Sequence, residues 1–285
     1  MAERGATPGY LPEPTLPGYL PEPTLPGYLP EPTLPGYLPE PTLPGWLAYR
    51  GRMLALSVLS GLLLVWSAIA DLVLGETLYT TRNLALTLLL LVAWWRYRAQ
   101  RWSSVAEEVG LARERIGSGL RWGAAAFAVI GAALLVGVLA ADAVPPIAAL
   151  LADERAAGFA DDLLFVTLVR IPIGTAVFEE VAFRGVLLAA ALRVLPTWRA
   201  VSVSSVVFGL WHIPPTIVAL WINEVSAASV GGLAAIAGAV IATTIAGFGF
   251  AWLRVASGSL LAPVLAHCAT NSLALLAAVH VQELW

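Results

Sequence analysis

Long apolar runs separated by short polar segments occupy most of the chain after residue 50. A helix that crosses a bilayer needs about 20 consecutive, mostly apolar residues. By that measure the sequence predicts spans at about 53–74, 83–95, 122–141, 163–195, 199–222, 230–253 and 259–281. A re-entrant segment at 143–152 would raise the count by one. The pattern therefore predicts an all-α, polytopic transmembrane bundle of seven or eight spans.

The composition fits a membrane protein and no other broad class. Of the 285 residues, 59% are apolar and 12% are charged, whereas soluble domains carry about 25% charged residues. The exclusive use of arginine as the basic residue suggests a GC-rich, bacterial genome. A single cysteine, Cys268, excludes an intrachain disulfide framework and a cysteine-based zinc site.

The arginines in the loops predict the orientation. If the N-terminus is inside, the inner side receives twelve arginines and the outer side two, Arg82 and Arg155. Basic residues favour cytoplasmic loops, so we expect a multi-pass protein of the cell membrane with a cytoplasmic N-terminus. The polar stretch 96–121, with Trp102 and Leu111, predicts an amphipathic helix at the membrane surface.

Before the first span the chain carries four identical copies of the nonapeptide Pro-Gly-Tyr-Leu-Pro-Glu-Pro-Thr-Leu, at residues 8–43. Three prolines in each repeat are incompatible with a helix or a sheet. We expect residues 1–49 to form a disordered, partly polyproline-II arm and residues 50–285 to form the transmembrane domain. The arm is either a dispensable tail or a docking segment for an unknown proline-binding partner.

The fourth span contains ionisable residues that a simple membrane anchor would not carry. Charged side chains at bilayer depth cost about 2.5–3.5 kcal/mol each, and Glu179, Glu180 and Arg184 all lie in this apolar run. On a helix Glu180 and Arg184 are four residues apart and can pair. Glu179 is turned about 100° away from that pair, so its carboxylate is the candidate for chemistry.

Two further spans carry histidine at a similar depth. Phe208 and His212 share one helical face in the fifth span, and His267 and Asn271 share one in the seventh. Counted along the helices, both imidazoles and Glu179 lie about 12–21 Å from the cytoplasmic surface. Convergence of these groups at one level indicates a polar site inside the bundle.

These residues resemble three motifs of the CAAX-protease and bacteriocin-processing proteases, also called the Abi family. The motifs are Glu-Glu-x-x-x-Arg, Phe-x-x-x-His and His-x-x-x-Asn, and they stand here in the family order at 179–184, 208–212 and 267–271. The resemblance extends over about residues 50–285. It implies an intramembrane endopeptidase that cleaves near the membrane surface, in CAAX-type or leader-peptide processing.

By this resemblance, Glu179 and His212 activate a water molecule, while His267 and Asn271 orient that water or donate hydrogen bonds to the oxyanion. Glu180 and Arg184 are expected to support the site as a paired charge, and Phe208 to form a wall of the pocket. Glu179, His212 and His267 would also suit a zinc site with one open position. The spacing leaves that choice open, and the resemblance favours a glutamate-dependent mechanism without a metal cofactor.

Two other functions are compatible with the same polar residues. A proton-coupled transporter also uses Glu and His inside the membrane, but the spans show no internal repeat. A catalytically silent immunity or scaffold protein would bind a peptide in the same cavity. Whether the protein is a protease or a scaffold, we expect it to bind a membrane-associated peptide or protein and the lipid bilayer. We expect no nucleic-acid partner.

Deletion of residues 5–45 is expected to leave both membrane insertion and activity intact, because a proline-rich coil cannot add to the core of a helical bundle. The measurement is membrane abundance and proteolytic activity of the deletion variant beside the full chain. Normal abundance with lost activity would show that the arm recruits the substrate.

Overall fold

The computed structural model describes residues 45–141, 143–151 and 162–284. Every regular element in these ranges is helical, which confirms the predicted fold class. The α-helices are α1 (Gly45–Ile69), α2 (Tyr79–Arg98), α3 (Trp102–Val109), α4 (Ile116–Ala141), α5 (Pro145–Leu151), α6 (Leu163–Phe165), α7 (Leu188–Leu192), α8 (Thr197–Trp211), α9 (Ile213–Ile222), α10 (Val230–Ser257), α11 (Leu261–Cys268) and α12 (Ala274–Leu284). The repeat arm at 8–43 lies outside the described residues, so its conformation stays a prediction.

Five helical segments among the described residues are long and apolar enough to cross a membrane. They are Gly45–Leu74, Trp102–Ala141, Thr197–Ile222, Val230–Ser257 and Leu261–Val281. The other two predicted spans are helical but more polar: α2 contains Arg82 and Asn83, and the run at 163–192 carries the glutamates and arginine of the first motif. Two of the seven spans predicted from the sequence are therefore helices that carry polar residues in the interior of the bundle.

The helical run at 163–192, here called the glutamate helix, contains two π-wound segments. These are Val166–Val177 and Glu180–Leu187, and Glu179 lies at the junction between them. Pro172 lies inside the first of these segments, and the chain stays helical around it. This is possible because a π turn is wider than an α turn and relieves the clash between the proline ring and the preceding turn.

Helix α3 closes one end of the bundle, where the sequence predicted a surface helix at 96–121. Val105 and Val109 are fully buried against the core, while Trp102, the first residue of the helix, is exposed. Glu108 accepts hydrogen bonds from Arg98 at 2.7 and 2.9 Å, and Arg254 donates to the Glu108 carbonyl oxygen at 2.9 Å. These contacts tie α2, α3 and α10 together at that end.

Gly110 ends α3 in a conformation that only glycine adopts without strain. Its φ is +83°, and a β-carbon built there would lie 2.3 Å from Nε of Arg254. The tight approach lets the Arg254 side chain reach the last carbonyl groups of α3. The closed end of the bundle therefore depends on the absence of a side chain at this position.

We expect Gly110→Ala to lower the thermal stability of the protein in detergent. The left-handed backbone alone costs a non-glycine residue about 1–2 kcal/mol, and the clash with Arg254 adds to it. The matched control is Gly249→Ala, because nothing lies within 4 Å of a β-carbon at Gly249 and its α-helix favours alanine. Equal melting temperatures for the two variants would contradict this account.

Candidate functional site

Glu179 presents a buried carboxylate with an unused oxygen. The side chain sits between the two π-wound segments of the glutamate helix and is only 7% exposed. Its Oε2 atom is buried and has no hydrogen-bond partner. Buried polar atoms are nearly always satisfied, so an unpartnered carboxylate oxygen in the interior marks Glu179 as a candidate functional residue.

Glu180 is the centre of a fully buried charged cluster. Its Oε1 atom accepts a hydrogen bond from Nη1 of Arg184 at 3.0 Å, and neither side chain is exposed. The same oxygen lies 2.8 Å from Nδ1 of His267, which must donate because a carboxylate accepts. The predicted pairing of Glu180 with Arg184 is thus present, and His267 is an additional partner.

Aromatic rings surround the charged end of Arg184. Its guanidinium carbon lies 4.0 Å from the centroid of the Phe208 ring and 5.1 Å from that of Phe250. A cation held over a ring face is stabilised by about 2 kcal/mol when both are desolvated. Phe208 therefore supports the arginine, whereas the sequence placed it on the wall of the pocket.

His212 lies at the end of α8 with one of its nitrogens fixed. Nδ1 is 2.8 Å from the Phe208 carbonyl oxygen, and because a carbonyl only accepts, Nδ1 carries the proton. Nε2 is then the free nitrogen of the ring, as an acceptor in the neutral imidazole and a donor in the imidazolium. The Phe208 ring packs edge-on against the imidazole at 4.6 Å and fixes its orientation.

A cavity of about 180 Å³ lies beside these groups. Its walls are formed by Trp66, Ala70, Asp71, Tyr79, Arg82, Asn83, Thr175, Glu179, Trp211, His212, Pro215 and Asn271. The structure thus brings Glu179, His212 and Asn271 from three separate helical segments to one space. The volume accommodates several water molecules or part of a peptide.

His267 lies behind Glu179 and is not among the described residues that line this cavity. Its Nε2 atom is 3.7 Å from Oε2 of Glu179, beyond a hydrogen bond, and its ring stacks on Phe250 at 5.0 Å. Asn271, which was expected to point the same way as His267, lines the cavity instead. Asn271 lies inside the π-helix Ala269–Leu273, whose winding changes the angle between it and His267.

Sequence reasoning missed the residues at the far wall of the cavity. Asp71 lies in a π turn at the end of the first span, and Ser67 donates a hydrogen bond to it at 3.4 Å. Tyr79 and Arg82 come from the start of α2, and the Tyr79 hydroxyl lies 2.9 Å from that of Thr175. Asp71 had a detectable signal, since it is the single charged residue in the run 53–74.

The zinc set that the sequence left open is not assembled in the described part of the chain. Within it, no three His, Cys, Asp or Glu side chains lie close enough together to hold a metal ion. Nδ1 of His267 is held by Glu180, and Nδ1 of His212 by a backbone carbonyl. Metal-ligating histidines donate their second nitrogen in the same way, so it is the separation of Glu179, His212 and His267 that does not fit a common set of ligands.

A comparison with known protein families found a match to the segment that contains this site. A family model described as Type II CAAX prenyl endopeptidase Rce1-like matches residues 161–273. This region is therefore similar to the Rce1-like family. The match is shorter than the predicted 50–285 but includes all three motifs, and at the level of the family it supports an intramembrane CAAX-type protease. No curated protein and no solved structure matches the chain.

The charged cluster generates a prediction about stability. Glu180→Gln would leave the buried guanidinium of Arg184 without its carboxylate, and its Nε and Nη2 atoms already lack partners. Loss of one partner from a buried ion pair costs about 3–5 kcal/mol, so membrane abundance and melting temperature in detergent should both fall. Glu179→Gln is the matched control, because Oε2 of Glu179 has no hydrogen bond to lose. A Glu180→Gln variant as stable as Glu179→Gln would contradict the supporting role.

Proposed function

We propose that this protein is an intramembrane endopeptidase in which Glu179 is the general base. The observation that carries the proposal is the buried carboxylate of Glu179, which has an unpartnered oxygen and lines a cavity together with His212 and Asn271. Peptide hydrolysis needs a base for water, donors for the oxyanion and a proton for the leaving amine. The residues around this cavity can supply all three.

In the proposed first step, the carboxylate of Glu179 accepts a proton from a water molecule in the cavity. The water oxygen attacks the carbonyl carbon of the peptide, and the carbonyl oxygen becomes the oxyanion. The indole rings of Trp66 and Trp211 form part of the cavity wall and reduce the space that is left for water. Electrostatic interactions are stronger in such a water-poor site than in bulk water.

In the second step the C–N bond breaks and the proton held by Glu179 passes to the leaving amine. The Asn271 amide is suited to donate a hydrogen bond to the oxyanion. Nε2 of His212 is the free nitrogen of its ring; it accepts from the water when the ring is neutral and donates when the ring is protonated. Together Glu179 and His212 polarise the water, and Asn271 stabilises the charge that develops.

The remaining motif residues act as positioning residues. Glu180 holds His267 by a 2.8 Å hydrogen bond, and the ring of His267 limits the space available to the Glu179 carboxylate. Phe208 fixes His212 through its carbonyl oxygen and supports Arg184 through its ring. The proposed role of His267 thus changes from contact with the oxyanion to placement of the base.

We further propose that the mechanism uses no metal cofactor and that the N-terminus is cytoplasmic. The first proposal is supported by the spacing of the His, Cys, Asp and Glu side chains, since in the described part of the chain no three of them lie close enough together to hold a metal ion. The second is supported by the concentration of arginine on one side of the membrane. The proposed substrate is a membrane-associated peptide or protein with a cleavage site that can enter the cavity.

Glu179→Gln is expected to abolish proteolysis, by several orders of magnitude in turnover, while the protein still accumulates in the membrane. An amide has nearly the shape of a carboxylate but cannot accept the proton of water. The measurement compares new peptide termini in membranes of host cells that carry the wild-type protein, Glu179→Gln or no copy of the gene.

The control is Glu224→Gln, the same chemical change in an exposed loop outside the cavity. Termini that depend on the gene should appear with the wild-type protein and with Glu224→Gln, and be absent with Glu179→Gln. Termini that persist with Glu179→Gln would overturn the role of this residue as the base. If no terminus depends on the gene, a scaffold that binds without cleavage is favoured.

A further inference from the structure

Two hydroxyl groups on the cavity wall bond to each other across two helical segments. The phenol of Tyr79, at the start of α2, lies 2.9 Å from the hydroxyl oxygen of Thr175 in the glutamate helix. Both residues line the cavity. Thr175 precedes Glu179 by four residues, about one helical turn. The hydroxyl pair therefore shares the cavity with the proposed base, in a part of the wall that the two proposed steps do not use.

The hydroxyl pair contains one more hydrogen than its mutual bond uses. Each hydroxyl carries one hydrogen, and the bond between the two oxygens takes one of them. Tyr79 and Thr175 make no second hydrogen bond through these hydroxyls within the described part of the chain. One donor hydrogen is thus left over at the wall of the cavity.

Thr175 differs in this respect from other threonines of the bundle. The hydroxyls of Thr87, Thr167 and Thr243 each donate to the carbonyl oxygen four residues earlier in their own helix, at 2.7–2.8 Å. Such a bond satisfies the hydroxyl hydrogen locally. Among the described residues Thr175 has no bond of this kind, so its hydrogen remains for a group in the cavity.

The start of α2 is held firmly against the glutamate helix at this point. Asn83, one turn after Tyr79, is buried and donates to the Gly174 carbonyl oxygen at 2.8 Å. A β-carbon on Gly174 would lie 3.2 Å from Cα of Thr80, so the two helices approach closely. The guanidinium carbon of Arg170 lies 4.6 Å from the centroid of the Tyr79 ring. These contacts fix the hydroxyl pair before a substrate binds, as an effective donor to a transition state requires.

The two hydroxyls are not equivalent as donors. A phenol is a stronger acid than an aliphatic alcohol, so Tyr79 is the better donor of the pair and Thr175 the better acceptor. The favoured bond therefore runs from Tyr79 to Thr175, and the hydrogen left over is that of Thr175. A hydroxyl that accepts one hydrogen bond becomes a stronger donor of the next.

We infer that the Thr175 hydroxyl donates a second hydrogen bond to the oxyanion, beside the Asn271 amide, and that Tyr79 is the positioning residue behind it. The inference rests on the proposed function, because an oxyanion forms only if a peptide carbonyl is attacked. The carbonyl oxygen of the substrate then lies between the glutamate helix and the π turn that carries Asn271, and the attacking water lies at Glu179 and His212.

The test measures kcat and KM of the purified full-length protein in detergent, with a synthetic peptide that spans a cleavage site defined by the gene-dependent termini. Thr175→Val removes the donor and nearly keeps the shape, so kcat should fall by about 10²–10³-fold. KM should change by less than about twofold, because the carbonyl oxygen carries little charge before the attack. Thr175→Ser keeps the hydroxyl and should retain most of the rate.

Tyr79→Phe leaves the Thr175 hydroxyl but removes the group that donates to it, so kcat should fall by only about fivefold to tenfold. In a Thr175→Val background the same change should have little further effect, since the two residues act as a unit. The matched control is Thr243→Val, the same change at a hydroxyl that bonds to its own helix outside the cavity lining. It should keep the wild-type kcat, and the melting temperature of every variant is measured beside it.

Each contrary result removes a defined part of the inference. Wild-type kcat in Thr175→Val, with Glu179→Gln inactive in the same assay, would exclude the second donor and leave the proposed base in place. Equal losses in Thr175→Val and Thr175→Ser would show that packing matters and the hydroxyl does not. Multiplicative losses in the double variant would separate Tyr79 from Thr175. Cleavage by Glu179→Gln at the wild-type rate, or the absence of any gene-dependent terminus, would instead contradict the proposed function itself.

Discussion

The burial of one arginine determines how the centre of this protein is built. The Arg184 guanidinium has no exposure to solvent, and a lone charge in such a place would cost several kcal/mol. Glu180 neutralises it, three aromatic rings lie around it, and the second oxygen of the Glu180 carboxylate stays unpartnered. Because Glu180 is committed to Arg184 and His267, it is not available for chemistry. Glu179, the residue immediately before Glu180, keeps an oxygen without a hydrogen-bond partner. The two adjacent glutamates therefore have different environments.

Some of the residues predicted from the sequence line the cavity and others do not. Contacts within one helix could be predicted, whereas contacts between helices could not. The pairing of Glu180 with Arg184 depends only on a four-residue spacing within one helix, and it is present at 3.0 Å. The helical class and the polar interior likewise follow from the apolar runs. The rotation of each helix about its axis is set by contacts with its neighbours, which spacing does not encode. His267 was therefore expected at the cavity, whereas it lies behind Glu179 and outside the cavity lining, and the contribution of Asp71 and Arg82 was missed.

The residues that hold the site in place and the residues that face the cavity form two different groups. Helix segments that come close together hold His267, Phe208 and Arg184 in a dry, packed layer, and the groups with free polar atoms lie on the other side of that layer, facing the cavity. Well-packed supporting residues keep the geometry of a site within narrow limits. Phe208 and Phe250 in this layer contact both Arg184 and a histidine, and Phe183 packs against Phe208, so the aromatic residues couple the stability of the bundle to the placement of His212.

The π winding of the glutamate helix has a consequence for how such a site can change over generations. A π turn holds more residues than an α turn, so the stretch from Val166 to Leu187 contains surplus residues for its height. Loss of one codon there would shorten the helix by only about 1.5 Å, yet turn every side chain on one side of the deletion by about 100° relative to the other. A single small deletion could thus present a different side chain to the cavity while the span still crosses the bilayer. The winding makes this segment a place where a new function can arise without a new fold.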